Sequence, residues 1–215
     1  MQILDAEATR AALPFAQLIP ALRAMFAAGC TVPQRHVHQV NAPGGGFTSL
    51  IMPAWVPGVC YGVKTVNVAP HNAARGLPGL HGSYMLYDAT TGAPLAMLDG
   101  DQITARRTAA ASALAASFLA QPGASHLLLV GAGQVARLLP AAYRVVRPIQ
   151  RVTVWARSTA AAQALAAQLR TQGFDSAVSA DLAGAVAAAD VVSCATLATA
   201  PLVQAPGCGR AATST

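Results

Sequence analysis

The chain has 215 residues, enough for one large domain or two small ones, with 54% apolar and only 10% charged residues. This composition excludes a disordered chain, which combines low hydrophobicity with high net charge. The basic residues behind the net charge of +6 are thirteen arginines and one lysine, dispersed along the chain, and only 5% of the residues are aromatic. Because a nucleic-acid groove needs clustered basic residues and stacking rings, we expect a small anionic partner and not a nucleic acid.

The long uncharged stretches do not predict membrane spans. The run over 36–63 is interrupted by prolines and glycines, and the alanine-rich run after Arg107 ends at Gln121-Pro122-Gly123. A span needs about 20 consecutive apolar residues. Asp5 and Glu7 near the start argue against a signal peptide. We therefore expect a cytoplasmic protein outside the membrane, whose four cysteines are free thiols and which has no metal site.

The first half of the chain predicts a helix followed by a strand-rich unit. Residues 4–28 have the apolar spacing of a helix, although Pro14 and Pro20 interrupt it. From Arg35 to Leu98, short apolar runs alternate with turns rich in proline and glycine, which is typical of antiparallel strands. We expect these strands at 47–52, 58–68, 83–88 and 94–98.

The second half predicts a parallel sheet. After an alanine-rich helix at 104–120, Pro122-Gly123 marks the predicted domain boundary. Beyond it we expect strands at 126–130, 151–155, near Ala177 and at 191–194, with helices at 134–146, 160–172 and 182–188. This alternation indicates βαβ units. The predicted fold class is α/β, with an α+β domain at 1–121, an incomplete Rossmann-type domain at 122–204 and an atypical tail at 205–215.

A glycine-rich turn follows the first of these strands. The strand leads into Gly131-Ala-Gly133-Gln-Val-Ala136, and a helix comes next. The first glycine allows a tight turn, the second lets the backbone approach a pyrophosphate, and the small third residue allows close packing. The helix start also favours an anion. We therefore predict a dinucleotide site at Gly131 and Gly133; the alternative is a strand–helix turn without a ligand.

The end of the second strand predicts which dinucleotide binds. NAD-specific sites usually carry an acidic residue there. This chain instead has Trp155-Ala-Arg157-Ser158-Thr159, in which a guanidinium beside two hydroxyls suits a 2′-phosphate. We expect NADP(H) to be preferred, with NAD(H) as the second choice. The alternative is that Arg157 is a solvated loop residue.

Several cations are candidates for binding a substrate anion. Lys64 lies in an otherwise apolar strand, and an ammonium in so arginine-rich a chain suggests a point charge of tunable pKa near a reacting centre. The alternative is an amine that extends from an edge strand into solvent. Arg106 and Arg107 are predicted at a helix start, where basic residues oppose the dipole unless an anion binds; a solvated turn is the alternative, above all for Arg106. Arg35 is a further candidate.

Several separate motifs resemble one family. They are Tyr61-Gly-Val-Lys64-Thr-Val-Asn67, Asn72 through Gly79, Tyr87-Asp-Ala-Thr-Thr-Gly92-Ala-Pro-Leu-Ala96, and Ile103 through Ser112. In this order, and followed by the glycine turn, they resemble the ornithine cyclodeaminase/mu-crystallin family over about residues 1–204. The resemblance implies an N-terminal domain for substrate binding and dimerisation, and a Rossmann domain for NAD(P).

The resemblance also implies roles for individual residues. Lys64 and Arg107 match catalytic positions and, with Arg35, hold the substrate carboxylate, while Lys64 is also suited to supply a proton. The expected cofactor-binding residues are Thr108, Gly131, Gly133, Gln134, Val135, Arg157, Ser158 and Thr196. The partners implied are a small imino or amino acid and a second copy of the chain.

Two departures from the family favour a reductase. Leu50 stands where cyclodeaminases have a glutamate, and Arg157 replaces their ribose-binding aspartate. We expect NAD(P)H-dependent reduction of the C=N bond of a small α-imino acid such as pyrroline-2-carboxylate. The alternatives are an ornithine cyclodeaminase and an inactive, truncated or binding-only member. The segment 204–215 does not resemble the family. When one possible nucleotide sequence for this segment is translated in a shifted reading frame, the resulting peptide does resemble the family, which suggests a frameshift or premature stop.

Overall fold

Proline and a capping aspartate set the ends of the first elements. In the computed structural model the predicted helix over 4–28 is replaced by a strand, β1 (Gln2–Leu4), and two helices, α1 (Ala6–Ala12) and α2 (Phe15–Ala28). The Asp5 side chain caps α1 by accepting a hydrogen bond from the Ala8 N–H (2.8 Å). Pro14 separates the helices, because proline lacks an N–H and disfavours helical geometry in the residue before it. The single-helix prediction is therefore wrong at this break.

The structure describes residues 1–203 and the strand at 213–214, and the chain divides into two compact units. The first unit comprises Met1–Pro14 and Ala24–Thr104. The second comprises Phe15–Arg23 and the chain from Ala105 onward. The predicted tail at 205–215, with Cys208, lies outside the described residues apart from that last strand.

A six-stranded sheet forms the frame of the first unit. Besides β1, its strands are β2 (His36–Ala42), β3 (Gly45–Val56), β4 (Cys60–Val68), β5 (Leu80–Tyr87) and β6 (Pro94–Asp99), and a 3-10 helix spans Pro70–Arg75. The order is β1-β6-β5-β4-β3-β2, with β1 parallel to β6 and every other pair antiparallel. The antiparallel prediction is confirmed, although the sequence did not predict β1 and β2.

A parallel sheet forms the frame of the second unit. Its elements are β7 (His126–Val130), α4 (Gln134–Val146), β8 (Arg151–Trp155), α5 (Thr159–Thr171), β9 (Asp175–Val178), α6 (Leu182–Ala188), β10 (Val191–Cys194) and β11 (Thr213–Ser214). The order is β11-β10-β7-β8-β9, and all pairs are parallel. Each residue of β7 is buried, as expected for a strand covered on both faces. The Rossmann-type prediction is confirmed.

The division between the two units lies within the alanine-rich helix α3 (Gly100–Leu119). The helix begins four residues before its predicted start at Thr104. Its later alanines, Ala109 and Ala113, are fully buried and belong to the same core as Leu127 and Leu129 of β7. Because these small side chains are packed into the second unit, the division falls within α3 and not at Pro122-Gly123.

Two further observations concern the described residues alone. No single helix there has both the length and the apolar composition to cross a membrane; α1 and α2 meet that test only as a pair, which is bent by 69°. None of the three cysteines described, Cys30, Cys60 and Cys194, is in a disulfide.

Candidate functional site

Gly131 makes a turn that only glycine fits. Its φ is 120°, in the region that favours glycine, and its N–H donates to the Trp155 carbonyl at 2.7 Å. A Cβ atom here would overlap the Ala195 carbonyl oxygen and lie 2.9 Å from its carbon. The turn is therefore held tightly between the ends of β8 and β10, as the sequence predicts for the first glycine.

Gly133 has a different reason to be glycine. It is the N-cap of α4 with an ordinary φ of −80°, and a Cβ atom built on it meets no atom within 4 Å. The protein's own packing therefore does not require glycine here, and the space beside it is open. The first turn of α4 contains no acidic residue, so its N–H groups present a positive helix end to that space. Backbone, dipole and open space together suit a pyrophosphate.

A groove of about 320 Å³ lies at this turn, at the carboxyl ends of the parallel strands. That is the size of a small ligand pocket in the usual place for such a sheet. Five predicted residues line it: Gly131, Gly133, Arg157, Ser158 and Thr196. In the described part of the chain, Gln134 and Val135 begin α4 beside the groove without lining it, and Thr108 lies in α3.

Sequence reasoning missed several lining residues. Trp155, Ala156 and Ala161 come from β8 and α5, and Ala195, Leu197, Ala198 and Leu202 follow β10. They are far apart in sequence and meet because parallel strands end at the same sheet edge. The available signal was the predicted alternation of strands and helices, since residues just after the strands of a parallel sheet lie at the same sheet edge as the glycine turn.

The charge of the groove is positive. Among the described lining residues Arg157 is the one charged side chain, and it is exposed. Ser158 caps α5 by accepting from the Ala161 N–H (3.2 Å), so its hydroxyl hydrogen is still available to donate. The described residues contain no group of three His, Cys, Asp or Glu side chains suited to a metal ion. The groove thus offers donors and a cation, which favours an anionic ligand.

Lys64 lies in the interior of the first unit's sheet. Its strand β4 has β3 on one side and β5 on the other, so the alternative of an edge strand is wrong. Lys64 pairs with Met52 and Tyr84 in these strands. We call the sheet face that carries Gly62, Lys64 and Val66 the lysine face.

Arg35 is positioned by the same sheet. It directly precedes β2, whose first residue His36 pairs with Ile51, so the next register position places Arg35 level with Met52. One strand, β3, lies between Arg35 and Lys64, so two strand spacings, about 10 Å in total, separate their backbones. Arg35 itself precedes the paired residues of β2, so the register places its backbone near that of Lys64 and does not fix the face from which its side chain projects.

Arg106 and Arg107 differ although they are adjacent. Because α3 begins at Gly100, both lie in its second turn, and the prediction that they open the helix is wrong. Arg106 is only 7% exposed, and its guanidinium lies 4.3 Å from the centre of the Phe15 ring. Arg107 is exposed. Arg106 is thus a packing residue with a cation–π contact, and Arg107 is the arginine accessible to an anion.

Comparison with known proteins decides the family. A model described as "Ornithine cyclodeaminase/mu-crystallin family" matches residues 8–208. The chain belongs to this family. It is 43% identical over 176 residues to a Delta(1)-pyrroline-2-carboxylate reductase of Paracoccus denitrificans, covering 81% of this chain and 56% of that protein. The chain thus spans little more than half the length of this relative.

Solved structures of the family have the same fold. The Delta(1)-pyrroline-2-carboxylate reductase of Thermococcus litoralis, solved in complex with NADH and L-proline, matches with a TM-score of 0.80 and 27% identity, over 100% of this chain and 69% of that one. A lysine cyclodeaminase, solved for its recognition of L-lysine, L-ornithine and L-2,4-diaminobutyric acid, matches with a TM-score of 0.82 and 30% identity, over 100% and 66%.

Two of the family-like motifs have structural roles here. In Tyr87-Asp-Ala-Thr-Thr-Gly92, the Asp88 carboxylate accepts hydrogen bonds from the backbone N–H groups of Thr90 and Thr91 (2.9 and 2.7 Å). These bonds lower the pKa of Asp88, the bonds from Thr91 most. Gly92 completes the turn with a φ of 73°. This motif holds β5 and β6 together and supplies no group to the groove.

The other structural motif brings α3 against the sheet. A Cβ atom on Gly82 would lie 2.9 Å from the carbonyl carbon of Gly100, and one on Gly100 would overlap the backbone of Gly82 and Ser83. The two glycines therefore allow direct contact between backbones. This contact fixes where α3 begins relative to β5.

Proposed function

We propose that the chain is part of an NAD(P)H-dependent reductase that acts on the C=N bond of a small α-imino acid such as pyrroline-2-carboxylate. The observation that carries the proposal is the glycine turn with open space at Gly133 and a positive groove beside it. The 43% identity to a pyrroline-2-carboxylate reductase supports the choice of substrate class. We also propose the cytoplasm as the location.

The proposed cofactor is NADP(H), with NAD(H) as the second choice. When bound, a reduced nicotinamide dinucleotide supplies the hydride for the reduction. We expect the backbone at Gly131 and Gly133 to hold the pyrophosphate, and Arg157 with Ser158 to hold a 2′-phosphate. The described groove lining contains no carboxylate to accept from a ribose hydroxyl, which supports this preference. The remaining proposed contacts are Thr108, Gln134, Val135 and Thr196.

The proposed substrate site depends on three cations. Arg35, Lys64 and Arg107 bind the carboxylate of the imino acid and fix the orientation of its C=N bond. Such orientation lowers a barrier by on the order of several kcal/mol. Lys64, whose ammonium has a proton to give, also donates to the imine nitrogen as its carbon is reduced. Lys64 and Arg107 are thus the proposed catalytic residues.

A second candidate is a cyclodeaminase, which releases ammonia from a diamino acid such as ornithine. The structural match to lysine cyclodeaminase favours it. Against it, Leu50 occupies the position where the family resemblance implies a glutamate; it lies on the lysine face, paired with Val66. An apolar side chain there has no group to bind the substrate amine. A binding-only member is the third candidate.

We propose a homodimer formed through the face of the first sheet opposite the lysine face. A row of apolar residues crosses that face through five strands: Pro53, Val63, Met85, Met97 and Ile3. Met97 is 41% exposed and Ile3 76%. Trp55, Tyr61 and Tyr87 form a second, aromatic row, with neighbouring ring centres 6.1 and 5.5 Å apart. An apolar surface of this kind favours burial against another protein surface.

The proposed function is tested by following NADPH and NADH oxidation in the presence of pyrroline-2-carboxylate. We expect a higher kcat/KM with NADPH. A hydrogen bond to a charged group is worth about 1.5–3 kcal/mol, so Arg157→Ala should lower kcat/KM for NADPH by about 10- to 100-fold. With NADH, which lacks the 2′-phosphate, the same variant should stay within about twofold of the parent.

Lys64→Ala tests the substrate site in the same assay. We expect kcat/KM for the imino acid to fall by about 100-fold, because the loss of a charge-assisted bond and of a proton donor combine. The affinity for NADPH, measured by fluorescence titration, should not change. Near-normal kcat/KM in this variant contradicts the substrate site. Ammonia release from ornithine without added cofactor supports the cyclodeaminase instead, and NADPH binding without any turnover supports the binding-only member.

A further inference from the structure

Tyr84 is the neighbour of Lys64 across the sheet. Lys64 is flanked by Met52 of β3 on one side and by Tyr84 of β5 on the other. Residues directly opposite each other on antiparallel strands project from the same face, with Cβ atoms about 4.5–5.5 Å apart. Tyr84 therefore lies on the lysine face, next to the proposed carboxylate-binding ammonium.

The ring of Tyr84 lies over Gly62, two residues before Lys64 on the same face of β4. A Cβ atom at position 62 would overlap the Tyr84 hydroxyl oxygen and lie 2.7 Å from the ring carbon Cζ. Gly62 is itself buried. Because residue 62 has no side chain, the Tyr84 ring can lie against the backbone of β4. There it fills the space beside Lys64.

The phenol of Tyr84 stays protonated at physiological pH. Burial raises the pKa of Tyr84, and the thiol groups of Cys60 and Cys30 act in the same direction. A neutral hydroxyl adds no repulsion to a nearby carboxylate, and it does not act as a base. Tyr84 is thus a large, rigid boundary with one polar atom.

We propose that Tyr84, seated on Gly62, is a specificity-determining residue that limits the ring size of the imino acid held at Lys64 and favours five-membered over six-membered rings. This inference rests on the proposed function. Met52 and Tyr84 flank Lys64, and the ring over Gly62 occupies the adjoining space, so a substrate with one more methylene group extends toward this ring. One methylene changes selectivity in an apolar pocket by about 10- to 200-fold.

The test measures binding of two ring acids that differ by one methylene group, L-proline and L-piperidine-2-carboxylate, by titration calorimetry without dinucleotide. We expect the parent chain to bind the five-membered acid at least about tenfold more tightly. Tyr84→Leu should reduce this preference to about threefold or less, whereas Tyr84→Phe, which keeps the ring, should preserve it. Tyr87→Leu is the matched control, because Tyr87 lies on the same strand but on the opposite face, paired with Tyr61.

A second set of variants tests whether the position of the Tyr84 ring depends on glycine at residue 62. Gly62→Ala places a methyl group where the phenol lies, and we expect it to weaken binding of both acids. Replacing the ring as well, in Gly62→Ala/Tyr84→Leu, should restore the affinity for the five-membered acid to that of Tyr84→Leu within about threefold, since the two positions are coupled by contact. Tyr84→Met serves the same test if Tyr84→Leu does not fold.

The outcomes separate this inference from the proposed function. An unchanged preference in a folded Tyr84→Leu or Tyr84→Met variant overturns the inference and leaves the reductase proposal standing. A preference that depends on Tyr84, in a chain that reduces no cyclic imino acid with either dinucleotide, supports the inference and rejects the reductase. Absence of binding, or equal binding of the two acids by the parent chain, overturns the inference.

Discussion

Adjacent residues of one type have different roles in this chain. Arg106 and Arg107 look equivalent in the sequence, but one is packed on Phe15 and the other is exposed. Successive helical residues point about 100° apart, because an α-helix has 3.6 residues per turn, so neighbours cannot share an environment. Only the position of α3 decides which arginine is accessible. The predicted anion-binding role therefore stays with Arg107 alone.

His126 forms a polar cluster at the amino edge of the second sheet, away from the groove. Its ring is buried, with Nδ1 2.8 Å from the Ala188 carbonyl oxygen and Nε2 2.8 Å from Thr153 Oγ1. The Arg151 guanidinium lies 2.9 Å from Nδ1. Burial lowers the pKa of His126, and the Arg151 charge acts in the same direction, against the opposing effects of the Ala188 carbonyl and of the Asp190 and Asp175 carboxylates. The folded protein thus favours the neutral ring.

This lowered pKa predicts a stability that falls in mild acid. An unfolded histidine titrates near about pH 6.5, so below that pH the unfolded chain binds a proton that the folded chain resists. The stability is fully present above that pH and is lost as the pH falls toward the folded pKa. We expect the urea midpoint to drop between pH 7.5 and 5.5, and to drop less in His126→Gln.

Asp190 provides a second test of the histidine, because its carboxylate acts on the same cluster. Burial acts to raise the pKa of Asp190, but hydrogen bonds from the N–H groups of Ser125 and His126 outweigh it, and the pKa is lowered overall. Its stabilisation is lost only as the pH falls below the range where a free carboxylate titrates, near about pH 4. The Asp190 charge acts to raise the pKa of His126, so Asp190→Asn should lower that pKa further and make the fall of the midpoint between pH 7.5 and 5.5 at least as large as in the parent. Equal pH dependence in the parent and His126→Gln contradicts the role of the histidine.

Among the elements, the glycine turn contains two glycines with different roles. Gly131 is required by the fold, whereas Gly133 leaves open space for the proposed ligand. Gly131 has a positive φ and no room for a Cβ atom, whereas Gly133 has an ordinary φ and open space. The two glycines are two residues apart in the same turn. They form a matched pair in which the same substitution has different consequences.

Alanine at each of these glycines should therefore affect a different measurement. We expect Gly131→Ala to lower the free energy of unfolding by about 1–3 kcal/mol, because strain and overlap with the Ala195 carbonyl combine. Gly133→Ala should lower it by less than about 1 kcal/mol, the effect of alanine at a helix N-cap, but should weaken NADPH binding by tenfold or more, about 1.4 kcal/mol, because its methyl group fills the space for the pyrophosphate. Thermal melts and fluorescence titration of both variants check this. Full NADPH affinity in Gly133→Ala contradicts the pyrophosphate site.

The elements of the second unit were predictable because their signals are local. Each strand is a short apolar run, each helix has its own period, and breakers separate them; β7, α4, β8 and β10 have the predicted bounds. By contrast, β1 is three residues long and exists because it pairs with β6, more than 90 residues later. The exposed edge strand β2 has too many polar residues to stand out. Long-range pairing of this kind leaves no local pattern.

The same difference between local signals and long-range pairing applies to the residues of the candidate site. The glycine turn, Arg157 and Ser158 were predictable because a strand, a turn and a helix start are consecutive in sequence. Trp155 and Ala195 enter the groove through the order of the strands. The ring of Tyr84 over Gly62 depends on the register between β4 and β5, which the sequence does not state.

In the molecule as a whole, the described strands of the first sheet are incompletely buried. Every residue of β3 is only partly buried, although β3 is an interior strand. In a sheet covered on both faces, interior strands are buried. The apolar row through Met85 and Met97 makes the face opposite the lysine face the surface that needs a cover.

A charge placed on that surface should therefore prevent dimerisation. In a symmetric dimer one substitution introduces the charge twice, and each buried, unpaired carboxylate costs on the order of several kcal/mol. We expect the parent chain to have a dimer mass by light scattering after size-exclusion chromatography, and Met97→Glu to have a monomer mass. Val37→Glu is the matched control, since Val37 is 54% exposed and lies on the lysine face, paired with Leu50. It should remain dimeric, and a dimeric Met97→Glu would show that the two copies meet elsewhere.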